Sequence, residues 1–262
     1  MNKLFAMCLA VIMMMSLFAG CGKKDAAAES DLAYIQNKGT MIVGITEYEP
    51  MDYKDENGQW IGFDADLANL VGKELGVKVE FLVLADWGQK FFELDSKNID
   101  AIWNGMTITE EAKLNCNVTN PSAINAQVVV MGADVAADDA NVNTLKDLTF
   151  AVENGSAGQA TLADLGIENV VAVQDQPAAI MEVAAGTAQA CVIDITMANA
   201  MTGPGTAYED LAIAQTLNKE EYGIGFRKGS DVTARVNTIL EQLAKDGSMA
   251  QLAETYNLAL AD

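Results

Sequence analysis

The sequence has no histidine, two arginines (Arg227 and Arg235) and no C-x-x-C pair among its four cysteines. Without histidine it lacks the commonest general base and the commonest transition-metal ligand. Cys8, Cys21, Cys116 and Cys191 are scattered along the chain. That spacing gives no basis for a zinc, haem or iron–sulfur site, and no cofactor is expected. Positive charge is also scarce: 16 Lys and Arg stand against 37 Asp and Glu, a formal net charge of −21. Phosphate backbones and anionic lipid surfaces are held by clustered Lys and Arg, so nucleic acid and electrostatic membrane adhesion are excluded as partners. What is present is ordinary for a folded protein. Half of the 262 residues are hydrophobic and 20% are charged, enough for a sizeable core in one or two domains.

The N-terminus carries Lys3, then an apolar run over residues 4–18. That run is too short to span a bilayer comfortably, and small residues follow it, as in a secretory signal peptide. It ends in Leu17-Phe18-Ala19-Gly20-Cys21. This ending resembles the lipobox of bacterial lipoproteins, in which cleavage precedes the cysteine and the cysteine is lipidated. The resemblance implies residues 1–20 as leader, lipidation at Cys21 and a bilayer anchor. The alternative is an ordinary signal peptide with an incidental cysteine. Residues 22–30 (GKKDAAAES) are small and polar, as in a flexible tether.

From Gly39 onward, short apolar runs alternate with amphipathic segments. Strands are expected over residues 41–45, 77–84 and 100–103, with helices from Asp64 to about Leu75 and from Lys90 to Leu94. Asp64 is the expected cap of the first helix and Gly76 its stop. Asn57-Gly58 marks a hairpin turn. After the apolar strand 127–131 comes an acidic loop over residues 134–143, and then the rhythm restarts. Strands are expected at 149–152, 170–173, 190–193 and 222–226. Helices are expected at 156–165, 178–185, 232–244 and 249–256. This is an α/β pattern of two units, each with a mainly parallel sheet flanked by helices. Ligands in such sheets bind beyond the carboxyl ends of the strands. Residues 46–51, 85–87, 104–107, 153–157 and Asp194 are therefore the segments expected to line a cleft.

At these segments the chain resembles the extracellular solute-binding proteins of polar amino-acid ABC importers. The matching words are Val43-Gly44, Pro50-Met51-Asp52-Tyr53-Lys54-Asp55, Gly62-Phe63-Asp64-Ala65-Asp66-Leu67, Gly105-Met106-Thr107-Ile108-Thr109, Leu145-Lys146-Asp147-Leu148 and residues 222–230 (YGIGFRKGS). They occur in the family's order over roughly residues 39–257. The resemblance implies a type II periplasmic-binding-protein-like fold with a two-strand hinge. It places residues 21–38 as tether and first helix, 39–127 with 223–262 as one lobe, and 128–222 as the other. It further implies a lipid-anchored, extracytoplasmic monomer, not an enzyme, that hands a small polar solute to an ABC permease and its ATPase.

The resemblance also assigns ligand contacts. Backbone at Asn104 and Gly105 and the amide and hydroxyl of Thr107 would meet an amino-acid head. Asp194 would take its ammonium, and Ser156 with the amide of Ala157 would help hold its carboxylate. Tyr48 and Trp87 would stack on it; strand alternation points Trp103 into the core instead. Asp194 could also cap the helix that begins at Ile195, and the two roles can coexist. The family's carboxylate-gripping arginine is missing, because its position, five after Thr107, is Ala112. Neighbouring Lys113 is turned about 100° away on a helix. Glu47, Glu49, Asp52, Asp86, Glu153 and Asp194 crowd the candidate loops, most of them expected to be solvated. The ligand is therefore expected to be a cation, such as a polyamine or quaternary amine, or a zwitterion held at its carboxylate by backbone amides and hydroxyls. The rival readings are a dehydratase-like enzyme on the same fold, a sensory input domain and a lipoprotein that binds only a protein partner. Cys116 and Cys191 could pair after export, although Cys191 sits in an apolar strand that reads as core.

Overall fold

The computed structural model describes residues 30–136 and 145–261. The leader, Cys21, residues 22–29 of the tether and most of the acidic loop lie outside the described residues.

Two five-stranded sheets form two lobes. The first runs Lys78–Val83, Thr40–Ile45, Ala101–Ile102, Gly225–Phe226, Asn117–Val118. The second runs Val170–Val173, Phe150–Glu153, Ala190–Asp194, Gln127–Gly132, Leu211–Thr216. In each sheet four strands share a direction and one runs against both neighbours: Gly225–Phe226 in the first and Gln127–Gly132 in the second. Each reversed strand directly follows a crossing between lobes. Ala123–Asn125 leads into Gln127–Gly132, and Glu220–Tyr222 leads into Gly225–Phe226. The two crossing segments pair antiparallel, Glu220 opposite Asn125 and Tyr222 opposite Ala123.

The register Thr40↔Lys78 to Ile45↔Val83 aligns the ends of the first parallel pair. Residues just past those ends, and past Ala101–Ile102, Phe150–Glu153 and Ala190–Asp194, face the junction of the lobes. Helices cover the sheets through buried stripes, such as Phe63, Leu67, Val71 and Leu75 on Phe63–Leu75. That helix ends, as expected, at Gly76 in the left-handed conformation.

Asp64 does not cap the helix. Helical geometry begins at Phe63, because the Phe63 and Asp64 amides donate to the Pro50 and Met51 carbonyls. The Asp64 carboxylate is thereby turned inward, where it accepts from Trp103 Nε1 (3.1 Å) and the Gly105 amide (2.6 Å). Trp103 is a core residue, as strand alternation indicated. The strand expected over 222–226 is interrupted at Gly223 and Ile224. Their amides turn to the Met106 carbonyl and the Thr119 hydroxyl. Cys116 and Cys191 are free and buried in separate apolar clusters.

Arg227 is part of the framework. It donates to Asp31 (2.8 Å), Asp100 (3.1 Å) and the carbonyls of Leu94 and Ile99. This ties the first helix, Asp31–Lys38, to the start of the interior strand Ala101–Ile102 and uses the guanidinium outside the residues that line the cleft.

Candidate ligand-binding cleft

A cavity of about 120 Å³ lies where the strand ends of the two sheets meet. All eight residues selected from the sequence line it: Tyr48, Trp87, Asn104, Gly105, Thr107, Ser156, Ala157 and Asp194. The lobes touch across it. Asn154 donates to Asp86 (3.0 Å), and Lys90 Nζ donates to the Gly155 carbonyl (2.9 Å). A larger groove of about 730 Å³ lies elsewhere, between Pro50, Tyr53, Ile195 and Leu258, and none of the eight lines it.

Several side chains are used differently from what their residue types suggest. The Asn104 amide points under the strands, accepting from the Thr46 amide (2.8 Å) and donating to Asp52 (2.7 Å), so only its backbone is left for a ligand. The Tyr48 hydroxyl meets those of Thr196 and Tyr222, both at 2.5 Å. Gly105 has φ +56°, and a Cβ there would lie 2.6 Å from the Tyr48 ring. Its glycine is therefore demanded by the packed tyrosines as well as by any ligand. Trp87 is buried rather than an open plate, with Lys90 Nζ 5.0 Å from its ring centre. Ser156 accepts from the Gln159 amide at the start of Ala157–Asp164, and its hydroxyl proton remains available.

Asp194 ends its strand 4% exposed, with three amide donors. Its Oδ1 accepts from Asn125 Nδ2 (2.8 Å) and Gln127 Nε2, and its Oδ2 accepts from Gln176 Nε2 (2.6 Å). Asp194 stands at the cap position of Ile195–Met201 but makes no side-chain capping bond, so its carboxylate is not spent on that helix. The same Asn125 and Gln127 amides also donate to Glu220 Oε1 (2.6 and 2.7 Å), which accepts from the Thr107 hydroxyl as well (2.8 Å).

The expectation that most of the loop acids are solvated needs correcting. Glu47 and Glu49 are exposed, but Asp52, Glu153 and Asp194 are buried. Burial raises the carboxyls of Asp52, Glu153, Asp194 and Glu220 above their usual range and Asp64 to about 7; neighbouring acids add to the rise at Asp52, Glu153 and Glu220. Groups with a raised folded pKa hold protons that the unfolded chain has already released. Their stabilisation is complete below about pH 4 and is lost as pH rises through the folded values, for Asp64 about 7. The unliganded protein should therefore melt at a higher temperature at pH 5 than at pH 8. A melting temperature that is flat or rising over that interval would contradict the burial of these acids.

Lining residues not singled out as contacts in the sequence include Lys90, Phe91, Glu111, Ala160 and Gln176. Glu220, one shell behind, was missed as well. Lys90 opens a helix in the first lobe, and no motif marks it as facing a cavity. Ala112 also lines the cavity, whereas Lys113 is exposed and paired with Glu110 (2.9 Å).

The family profile of bacterial extracellular solute-binding proteins, family 3, matches residues 41–259. The L-cystine-binding protein TcyJ of Escherichia coli K12 is 28% identical over 255 residues, spanning 94% of this chain and 92% of TcyJ. A mutant of ArgBP from T. maritima superposes with a TM-score of 0.80 at 30% identity, covering 86% of this chain and 98% of that one. The ancestral amino acid-binding protein AncCDT-1, a precursor of cyclohexadienyl dehydratase, gives 0.79 at 31%, covering 87% and 99%.

Proposed function

The chain belongs to family 3 of the bacterial extracellular solute-binding proteins, and on that footing we propose that it captures an amino acid or a related small amine-bearing solute for an ABC importer. The observation that carries this reading is Asp194. It is a buried carboxylate at a strand's carboxyl end, preorganised by three amide donors and facing a cavity between two lobes. Such an anion offers an ammonium a desolvated partner.

The lobes are taken as residues 39–127 with 223–262, and 128–222, hinged at the paired crossing segments. An open form admits the solute. The solute then bridges both lobes and favours the closed form, whose face docks on the permease. A cavity of about 120 Å³ is below the roughly 300–1,000 Å³ of drug-sized sites. It is near the ~150 Å³ that holds a benzene.

Thermal-shift and calorimetric screens against amino acids, polyamines and quaternary amines test the reading, since a solute bound only by the folded state raises the melting temperature. An amine-bearing solute should stabilise the protein, and a screen in which none does would overturn the proposal. A cation without a carboxylate is the second reading, favoured by the surplus of acids at Glu153, Asp194 and Glu220. The protein is read as a binder and not an enzyme. Turnover of a prephenate-like substrate would reverse that.

Cys21 is proposed as the lipid anchor holding a monomer at the outer face of the cell membrane. Cys21→Ser should appear in the medium instead of the membrane fraction. Membrane retention of that variant would remove the anchor from the proposal.

A further inference from the structure

Two opposite charges face the same small cavity without pairing. Lys90, 6% exposed, is the cation on the lining; Glu153, 4% exposed, comes from the other lobe. Four ion pairs form among the described residues, and none involves either group. Lys90 spends two of its three donors on the carbonyls of Trp87 (3.3 Å) and Gly155 (2.9 Å). Glu153 Oε1 has no hydrogen-bond partner. Burial works against the charge on each, lowering the Lys90 ammonium and raising the Glu153 carboxyl well above its usual range. Buried polar groups left in this condition are costly, and a native fold seldom keeps two without a use. Asp194, by contrast, has three of its roughly four lone-pair sites filled by amide donors, which leaves one on Oδ2 for an ammonium.

We infer that Lys90 and Glu153 form a slot for a zwitterion, with Lys90 taking the carboxylate where Ala112 leaves no arginine and Glu153 taking the ammonium beside Asp194. This rests on the amine-solute reading above and narrows it. The cation has moved to a different segment of the same lobe, since Lys90 and Ala112 line one cavity from two helices. A carboxylate at Lys90 would lie near the first turn of Ala157–Asp164, where Ser156 and Ala157 line the wall and the helix N-terminus favours an anion. Lys90 is a point charge without the bidentate fork of arginine, so the helix turn supplies the directional donors. Because the two charges come from opposite lobes, a zwitterion joins the lobes through both ends, and a solute lacking either charge loses one of them.

The test is calorimetry on the mature chain with the twenty amino acids, and then with the decarboxylated amine and the deaminated acid of the tightest one. For the wild type, removing either charged end should weaken binding at least tenfold. Lys90→Met should weaken the amino acid roughly tenfold to a hundredfold, the range of one charged hydrogen bond, and bring it level with its amine. Glu153→Gln should bring it towards its deaminated acid. Lys90→Arg, which keeps the cation, should preserve the preference. Melting of the unliganded variants separates a folding defect from a binding one, and the ratio between paired probes does not depend on the fraction folded. If an amino acid binds Lys90→Met and Glu153→Gln as tightly as wild type, or if the amine matches the amino acid on the wild type, the slot is overturned while the amine-solute reading stands. If no amine-bearing probe binds, both fall together.

Discussion

Arg227→Ala should lower the stability of the unliganded protein by about 3–5 kcal/mol, the loss typical of breaking a buried ion pair from one side. Arg227 is 8% exposed and joins three elements. It holds Asp31 on the first helix, Asp100 beside the sheet, and the carbonyls of Leu94 and Ile99 at the end of the helix between them. Truncation leaves the side chain of Asp100 fully buried, with Lys38 (2.5 Å) and the Ile42 amide (2.8 Å) as its remaining donors. It also removes the donor to the Ile99 carbonyl, whereas the Leu94 carbonyl keeps the Lys97 amide (3.2 Å). For a domain of this size each kcal/mol moves the melting temperature by roughly 2–4 °C, so a fall of at least ~6 °C is expected by calorimetric melting. Arg227→Lys should recover little of it, because a single ammonium cannot reach two carboxylates and two carbonyls together. Solute affinity at a temperature where the variant is folded should be nearly unchanged. A large loss of affinity with normal melting would place Arg227 in the binding machinery instead of the framework.

Gly155→Ala should have the opposite profile, with a small stability cost and a large affinity loss. Gly155 has φ +70°, where an L-residue costs roughly 1–2 kcal/mol. The larger effect is steric and belongs to the closed arrangement. A Cβ at Gly155 would lie 2.5 Å from Gly88 Cα and 2.9 Å from its nitrogen, both backbone atoms of the opposite lobe. Backbone cannot swing aside as a side-chain tip does, so the lobes must part. That lengthens the Lys90–Gly155 and Asp86–Asn154 contacts and separates the two halves of the site. Affinity for the tightest member of the amino-acid panel should fall more than tenfold, because the ligand must now work against a closed state that has become unfavourable. Gly186→Ala is the control: its φ is +75°, and nothing lies within 4 Å of a Cβ placed there. It carries the same backbone strain without the lobe contact. Equal affinities in the two variants would mean that binding does not require this closure.

Much of the fold was legible because its signals are local. The stripe of Phe63, Leu67, Val71 and Leu75 with Gly76 behind it defines a helix from spacing alone. The apolar run 127–131 could hardly be other than a buried strand, and it became Gln127–Gly132. Errors arose where a distant group outcompeted the local preference. Asp64 has the residue type of a cap, but Trp103 Nε1 and the Gly105 amide draw it inward. The three-residue crossing strand Ala123–Asn125 is too short to show a period, and its partner Glu220–Tyr222 lies nearly a hundred residues away.

The site divides in the same way. That Tyr48, Trp87, Thr107, Ser156 and Asp194 would line one cleft followed from the rule that ligands meet the carboxyl ends of parallel strands, together with words arranged in a family's order. The absence of an arginine near Thr107 was equally plain, since Ala112 is read directly from the chain. Which groups stand in for it was decided only in three dimensions. Lys90 looks like any helix-starting lysine until folding brings Gly155 of the other lobe within 2.9 Å of its ammonium. Glu153 looks like a solvated loop acid until its strand is paired between Val170–Val173 and Ala190–Asp194, which leaves one oxygen without a partner. Composition and spacing determine which elements form and which ends of them can bind, because those depend on neighbours a few residues apart. Charge burial depends on which elements close over a side chain, and that is settled by contacts between residues 20 to 65 positions apart in sequence.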